Sequence, residues 1–269
     1  MNQEPEIYYE IFAIICTIPF ALLILAGIIP FKYIKLVFNL HLLKTKKLIP
    51  TALQNNSYYL RLNNREQARF IERVFEFILY KKFQSYGDVQ ISSEMKIQVA
   101  ATAVQITFGY TQKHEYLTFR KIIISPKDYR SRITHKIHKG ETNPNSSYVA
   151  LSWESFQEGI RFEHDCINVG LHEFAHAQFS DELAGQDNRE FFNSIDKWHK
   201  KVSELCKEEK IHGFFRNYAF VNKMEFFSVS MEYFFEDPKA FNEQIPELYQ
   251  LMTEMLNQNP LLANNGIKR

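Results

Sequence analysis

His172 and His176 stand one helical turn apart in Gly170-Leu171-His172-Glu173-Phe174-Ala175-His176-Ala177, the pattern HExxH. At 100° per residue the two imidazoles project from one helix face, where both can bind a single zinc ion. Glu173 lies beside them. In metallopeptidases this carboxylate is not a ligand but a general base for a water whose pKa the metal has lowered towards neutrality. Two histidines do not complete such a site, because a catalytic zinc takes three protein ligands and keeps one position open. The rest of the chain has to supply a third ligand and a partner for the transition state.

Residues 216–235, RNYAFVNKMEFFSVSMEYFF, hold the candidates. Read as one helix, this segment spaces Tyr218, Glu225 and Glu232 by seven on one side, surrounded by Phe226, Phe227, Phe234 and Phe235. An ionised glutamate among phenyl rings is costly to desolvate unless a cation compensates it, and Zn²⁺ fits that role. Tyr218, two turns before Glu225, can reach the same metal and donate its hydroxyl to a developing oxyanion.

The elements that must position these groups follow from periodicity and caps. Asp165 or Asn168 caps the HExxH helix, which runs through Phe179. A further helix over 189–210 alternates Phe191, Phe192, Ile195, Trp198, Val202 and Leu205 with charged residues, with His199 and Cys206 as packing residues. Upstream, Phe70, Ile71, Val74, Phe77 and Ile78 mark an amphipathic helix from Leu62 onward, and Ser92 or Ser93 starts another that stops near Gly109. Residues 116–124 and 148–153 read as strands, rich in β-branched and aromatic types. Between them, 127–147 reads as a long basic loop with Arg130, Arg132, Lys136 and Lys139, in which His135 and His138 are surface residues.

Composition bounds the function. With 32 basic and 31 acidic residues the formal charge is +1, so no global field points to nucleic acid. Cys16, Cys166 and Cys206 are odd in number, widely separated and form no CxxC, so they suggest neither a disulfide framework nor a thiolate zinc site and fit a reducing compartment. There is no phosphate-binding glycine loop, no GxSxG elbow and no internal repeat. Residues 11–30 are uncharged and, at 1.5 Å per residue, span about 30 Å, which predicts a transmembrane helix. Glu4, Glu6 and Glu10 before it argue against a signal peptide, and Lys32, Lys35, Lys44, Lys46 and Lys47 after it place the downstream domain in the cytoplasm.

The segment 148–260 resembles the Mlc titration factor A family of zinc-dependent peptidases, a gluzincin-type group whose catalytic domain is similar to that of anthrax lethal factor. The resemblance rests on Leu151-Ser152-Trp153, the run NVGLHEFAH from Asn168 to His176, Tyr218-Ala219, Glu225-Phe226-Phe227, Phe234-Phe235 with Pro238, Pro246-Glu247-Leu248-Tyr249 and Asn259-Pro260. It implies His172, His176 and Glu225 as zinc ligands, Glu173 as base and Tyr218 as oxyanion stabiliser. The chain departs from the family pattern after HEFAH, with Ala177-Gln178-Phe179-Ser180-Asp181 in place of a Leu-Asp continuation, and in carrying the apolar N-terminal segment.

The expected architecture is α+β, a mainly helical zincin-like metallopeptidase domain with a small sheet at 62–269, behind a membrane anchor at 1–35 and a basic juxtamembrane linker at 36–61. The expected function is a membrane-anchored, single-pass zinc peptidase that hydrolyses peptide bonds, with a peptide or protein substrate and no nucleic-acid partner. The competing expectation is a zinc-stabilised binding protein that sequesters a transcriptional regulator at the membrane.

Overall fold

A computed structural model of the chain describes residues 40–110, 116–131, 135–183 and 189–263. The chain divides into a unit at Met1–Lys47 and a much larger one at Leu48–Arg269. Helix α1 (Leu40–Ala52) and the short α2 (Ser57–Leu60) are followed by α3 (Asn64–Tyr80), β1 (Lys82–Ser85) and α4 (Ser93–Thr107). Next come β2 (Lys121–Ser125), β3 (Tyr129–Arg130), β4 (Ile137–His138), β5 (Gly140–Asn143) and β6 (Tyr148–Ser152). The remaining helices are α5 (Trp153–Arg161), α6 (Val169–Leu183), α7 (Arg189–Leu205), α8 (Glu209–Phe214), a 3₁₀ turn at Asn217–Phe220, α9 (Lys223–Glu236), α10 (Pro238–Gln244) and α11 (Pro246–Leu256). The architecture is therefore α+β, mainly helical with a small sheet.

The helix starts are chemically explicit. Asn63 accepts from the Glu66 N–H at 3.0 Å, Ser92 from Met95 at 3.1 Å and Asn168 from Leu171 at 3.0 Å, each satisfying a donor that the first turn leaves without a partner. Of the two caps proposed for the HExxH helix, Asn168 is the one used. Residues 48–61, within the stretch read from the sequence as linker, are bonded to the C-terminal end of this unit. Tyr58 donates to Gln258, and Arg61 Nη1 to the Pro260 carbonyl at 3.0 Å.

The main sheet has the order β1-β2-β6-β5. Its first three strands are parallel, with Ile122 opposite Phe83 and Val149, while β5 runs antiparallel to β6 with Thr142 opposite Val149. Ile122, Ile124, Val149 and Leu151 are buried, as expected for strands covered by helices. Two sequence expectations change here. The strand predicted over 116–124 begins only at Lys121, because Tyr116 and Phe119 turn into the core, where the Tyr116 hydroxyl donates to the Ala103 carbonyl at 2.8 Å. The predicted loop at 127–147 contains three short strands, whose polar residues carry no alternating apolar signal.

At the centre α9 packs on α6, and α4, α5, β5 and β6 also contact α6. Both central helices are buried around most of their circumference, α9 from Phe226 to Glu236 except at Tyr233. Phe179 and Phe227 lie 5.3 Å apart between ring centroids, and Phe77 meets Phe174 edge-on at 5.8 Å. Burying each such ring stabilises the fold by roughly 1.5–3 kcal/mol, so the aromatic layer fixes α9 against the HExxH helix.

One expectation is overturned. Among the described residues no helix is long and apolar enough to cross a membrane. The longest, α3 and α7, have 17 residues each and are amphipathic, short of the roughly 20 apolar residues a span requires. The assignment as a single-pass membrane protein with a cytoplasmic catalytic domain is corrected accordingly. The segment 11–30 itself lies outside the described residues.

Candidate metal centre

His172 and His176 project from one face of α6 with their rings at 83° and centroids 4.7 Å apart. The two Nε2 atoms are 3.1 Å apart, and Glu225 Oε2 lies 3.0 Å from the first and 3.2 Å from the second. Among the described residues these three form the one group whose ligand atoms could close on an ion. The spacing suits zinc, since tetrahedral ligands at 2.0–2.1 Å from the metal lie about 3.3 Å from one another.

Glu225 reaches this point because α9 begins just before it. Asn222, with φ −165° and ψ 174°, caps the helix and accepts from the N–H of Met224 at 2.8 Å and of Glu225 at 3.0 Å. The single helix expected over 216–235 is thus broken at Asn222, a residue whose side chain competes for backbone donors. Tyr218 sits on the preceding 3₁₀ turn, its ring centroid 5.8 Å from that of His172. It is 49% exposed. Burial first, then the charge and hydrogen bond of Glu225, push its phenol up to about 12, so it remains a proton donor at neutral pH.

Glu232, seven residues beyond Glu225, does not join the trio. It lies on the other side of the His172 ring, where Oε1 accepts from Nδ1 at 2.7 Å. Asn168 donates its backbone N–H to Oε2 at 2.8 Å, and Arg216 pairs with Oε1. Glu232 is 1% exposed, so this buried charge is held by three donors. The contact sets Nδ1 as a donor and turns Nε2 towards the trio, where a bound metal would take its lone pair in place of a second proton. Burial works against a charge on His172, but hydrogen bonds to Glu225 and Glu232 outweigh it and hold its pKa at about 10. Glu225 is likewise penalised by burial, yet the two histidines keep its carboxyl well below the usual carboxylate range. The cluster is built to gather positive charge.

Glu173, 7% exposed, points towards β5. The Thr142 hydroxyl lies 2.8 Å from its Oε2 and 2.9 Å from its carbonyl oxygen. Gly140 packs so closely that a Cβ there would stand 2.5 Å from Glu173 Cγ and 2.7 Å from Val169 Cγ2. A cleft of about 400 Å³ opens in front, lined by both histidines, Glu173, Tyr218, Glu225 and His138 among others. His138, expected on the surface, is half-buried at its wall, whereas His135 is exposed. His199 packs as expected, against Phe179 and Trp198 at centroid distances of 5.9 and 5.3 Å.

The model of the family described as glucose-regulated metallo-peptidase M90 matches residues 42–256, which take in every residue of this cluster. The chain belongs to that family. Proteins similar to the chain include an uncharacterized protein of Synechocystis, 22% identical over 225 residues that cover 76% of this chain and 81% of the other. Another is Mlc titration factor A of Pectobacterium atrosepticum, 26% identical over 163 residues that cover 55% of this chain and 60% of that protein. M90 membership points to an enzyme of metallopeptidase type, and the His172/His176/Glu225 trio is compatible with a metal site. Sequence reasoning about this M90 chain missed Thr142, Gly140 and the contact of Glu232 with His172. All three depend on pairings far apart in the chain, and only the spacing of Glu232 from Glu225 left a trace in the sequence.

Proposed function

We propose that the chain is a zinc-dependent peptidase in which His172, His176 and Glu225 hold the metal, Glu173 is the general base and Tyr218 stabilises the oxyanion. The observation that carries this reading is the trio at 3.0–3.2 Å, open to a cleft, with the Glu173 carboxylate clamped beside it. A bound zinc ion supplies a Lewis acid for the scissile carbonyl and lowers the pKa of water towards neutrality. Glu173, aimed by Thr142 and Gly140, accepts the proton of the attacking water and returns it to the leaving amine. Tyr218, a phenol that stays protonated, donates to the oxygen that becomes negative. The edge of β5 away from β6 carries no strand partner among the described residues, so an extended peptide can pair there.

The test combines metal content with hydrolysis of a peptide library. Wild-type protein is expected to bind one zinc and cleave, and Glu173→Gln to keep its zinc while losing at least about 100-fold in rate. A metal-loaded, fully active Glu173→Gln would refute the assignment.

The similarity to Mlc titration factor A supports a second reading, a zinc-stabilised protein that sequesters a transcriptional regulator. A structural zinc site is closed by four protein ligands, whereas three are grouped here among the described residues. That difference favours the peptidase. The same Glu173→Gln protein separates the two, since regulator binding without turnover survives the substitution only in the second.

A further inference from the structure

The side chain that starts α9 also lines the metal cleft, beside Tyr218, Met224 and Glu225. Asn222 Oδ1 accepts the backbone N–H of Met224 at 2.8 Å and of Glu225 at 3.0 Å. An amide held in this way has one orientation, because Nδ2 in the place of Oδ1 would set a donor against two donors. Nδ2 and its two N–H groups therefore turn away from the first turn of the helix. Among the described residues no acceptor meets them. Asn222 is exposed, on extended backbone, so the cap leaves a pair of oriented donors at the rim of the cleft.

The chemistry of an extended peptide gives these donors a use. Its carbonyls point alternately to its two sides, so those that face β5 can pair with the strand and those on the other side need donors elsewhere. A carbonyl buried in the complex without a donor costs affinity. Gly140, Glu141 and Thr142 of β5 line the same cleft as Asn222. Of the lining side chains from the 3₁₀ turn and the start of α9, Met224 and Glu225 offer no N–H or O–H, which leaves Tyr218 and Asn222. The Tyr218 hydroxyl is taken up by the oxyanion in the peptidase reading. We propose that Asn222 is a substrate-binding residue, whose Nδ2 donates to a main-chain carbonyl on the side of the bound peptide away from β5. The inference rests on the peptidase reading and adds to it the contact that holds the peptide in register three residues from the proposed ligand Glu225. Cap and peptide contact use opposite ends of one amide, so substitution can separate them.

The experiment uses the zinc-loaded full chain carrying Glu173→Gln, so that binding is read without turnover. The tightest binder from a random decapeptide library is resynthesised with fluorescein and titrated by anisotropy. Asn222→Asp keeps the cap and replaces the donor by an acceptor, while Asn222→Gly removes the donor without adding charge and weakens the cap only slightly. Peptide affinity is expected to fall at least about tenfold in Asn222→Asp and about threefold or more in Asn222→Gly. Zinc affinity, measured by chelator competition, should stay within about twofold of the parent in both, which a loss of the cap would not allow. The assignment requires both variants to lose peptide affinity while holding zinc, and any other pattern overturns it. Cleavage of the same peptide by the wild type is followed separately by chromatography. Absence of cleavage counts against the peptidase reading and leaves the binding comparison to decide Asn222, whereas a library without a binder overturns both.

Discussion

Replacing Glu232 by Gln separates a residue proposed to position the metal site from one proposed to bind the metal. All three partners of this carboxylate are donors: His172 Nδ1 at 2.7 Å, the Asn168 N–H at 2.8 Å and the Arg216 guanidinium. An amide has one acceptor oxygen and one donor group, so at least one of these donors faces another donor in the variant. Leaving such a buried group without its acceptor costs about 1–3 kcal/mol of stability, which lowers the Tm of the metal-free protein without unfolding it. His172 also loses the carboxylate that holds its tautomer and raises its basicity. Carboxylates in this position typically contribute 10–100-fold to metal affinity, about 1.4–2.8 kcal/mol. Zinc affinity, measured by competition with a fluorescent chelator at neutral pH, is therefore expected to fall by that factor in Glu232→Gln. In Glu225→Ala, where a ligand is removed, it should fall much further. Turnover at saturating zinc should recover in the first variant and not in the second. A folded Glu232→Gln with wild-type affinity would show that Glu232 does not position His172. A loss equal to that of Glu225→Ala would make Glu232 a ligand in its own right.

Four further outcomes follow from the same geometry. Gly140→Ala places a Cβ 2.5 Å from Glu173 Cγ, so the base must move, and kcat should fall about 100-fold while zinc content, read by atomic absorption, is unchanged. Tyr218→Phe removes the proposed oxyanion donor from a half-exposed ring, and should lower kcat by about 100- to 1000-fold with little effect on KM or Tm. Glu236, 7% exposed, has its pKa raised by burial from 4.5 to about 8. The stability that the neutral acid contributes is complete below pH 4.5 and is lost as pH rises through about 8. Glu236→Gln should therefore flatten the decline of Tm between these pH values, and parallel curves for the two proteins would contradict the burial argument. Removing zinc with a chelator should cost the wild type about 2.7 kcal/mol of unfolding free energy relative to free metal at 100 times its Kd, and should leave His176→Ala unaffected.

The parts of this site that are local in the chain were legible, and the parts that depend on two elements meeting were not. HExxH declares two proposed ligands and a proposed base because one helical turn joins them, and Asn168 declares the start of that helix because a cap acts within three residues. The spacing of seven between Glu225 and Glu232 was also visible, but what it meant was not. Seven residues advance about 10 Å along a helix, so two carboxylates on one face of α9 are too far apart to converge on one ion. They straddle the His172 imidazole instead, Glu225 at Nε2 and Glu232 at Nδ1, and the packing of α9 on α6 through Phe179 and Phe227 decides which is which. Tyr218 shares the periodic spacing by coincidence, since the cap at Asn222 ends the register before it and a 3₁₀ turn brings the ring back. Gly140-Glu141-Thr142-Asn143 has no apolar alternation to mark it as a strand, because its inward positions face Glu173 rather than a hydrophobic core. The polar character that hid β5 in the sequence is what its contact with the Glu173 carboxylate requires.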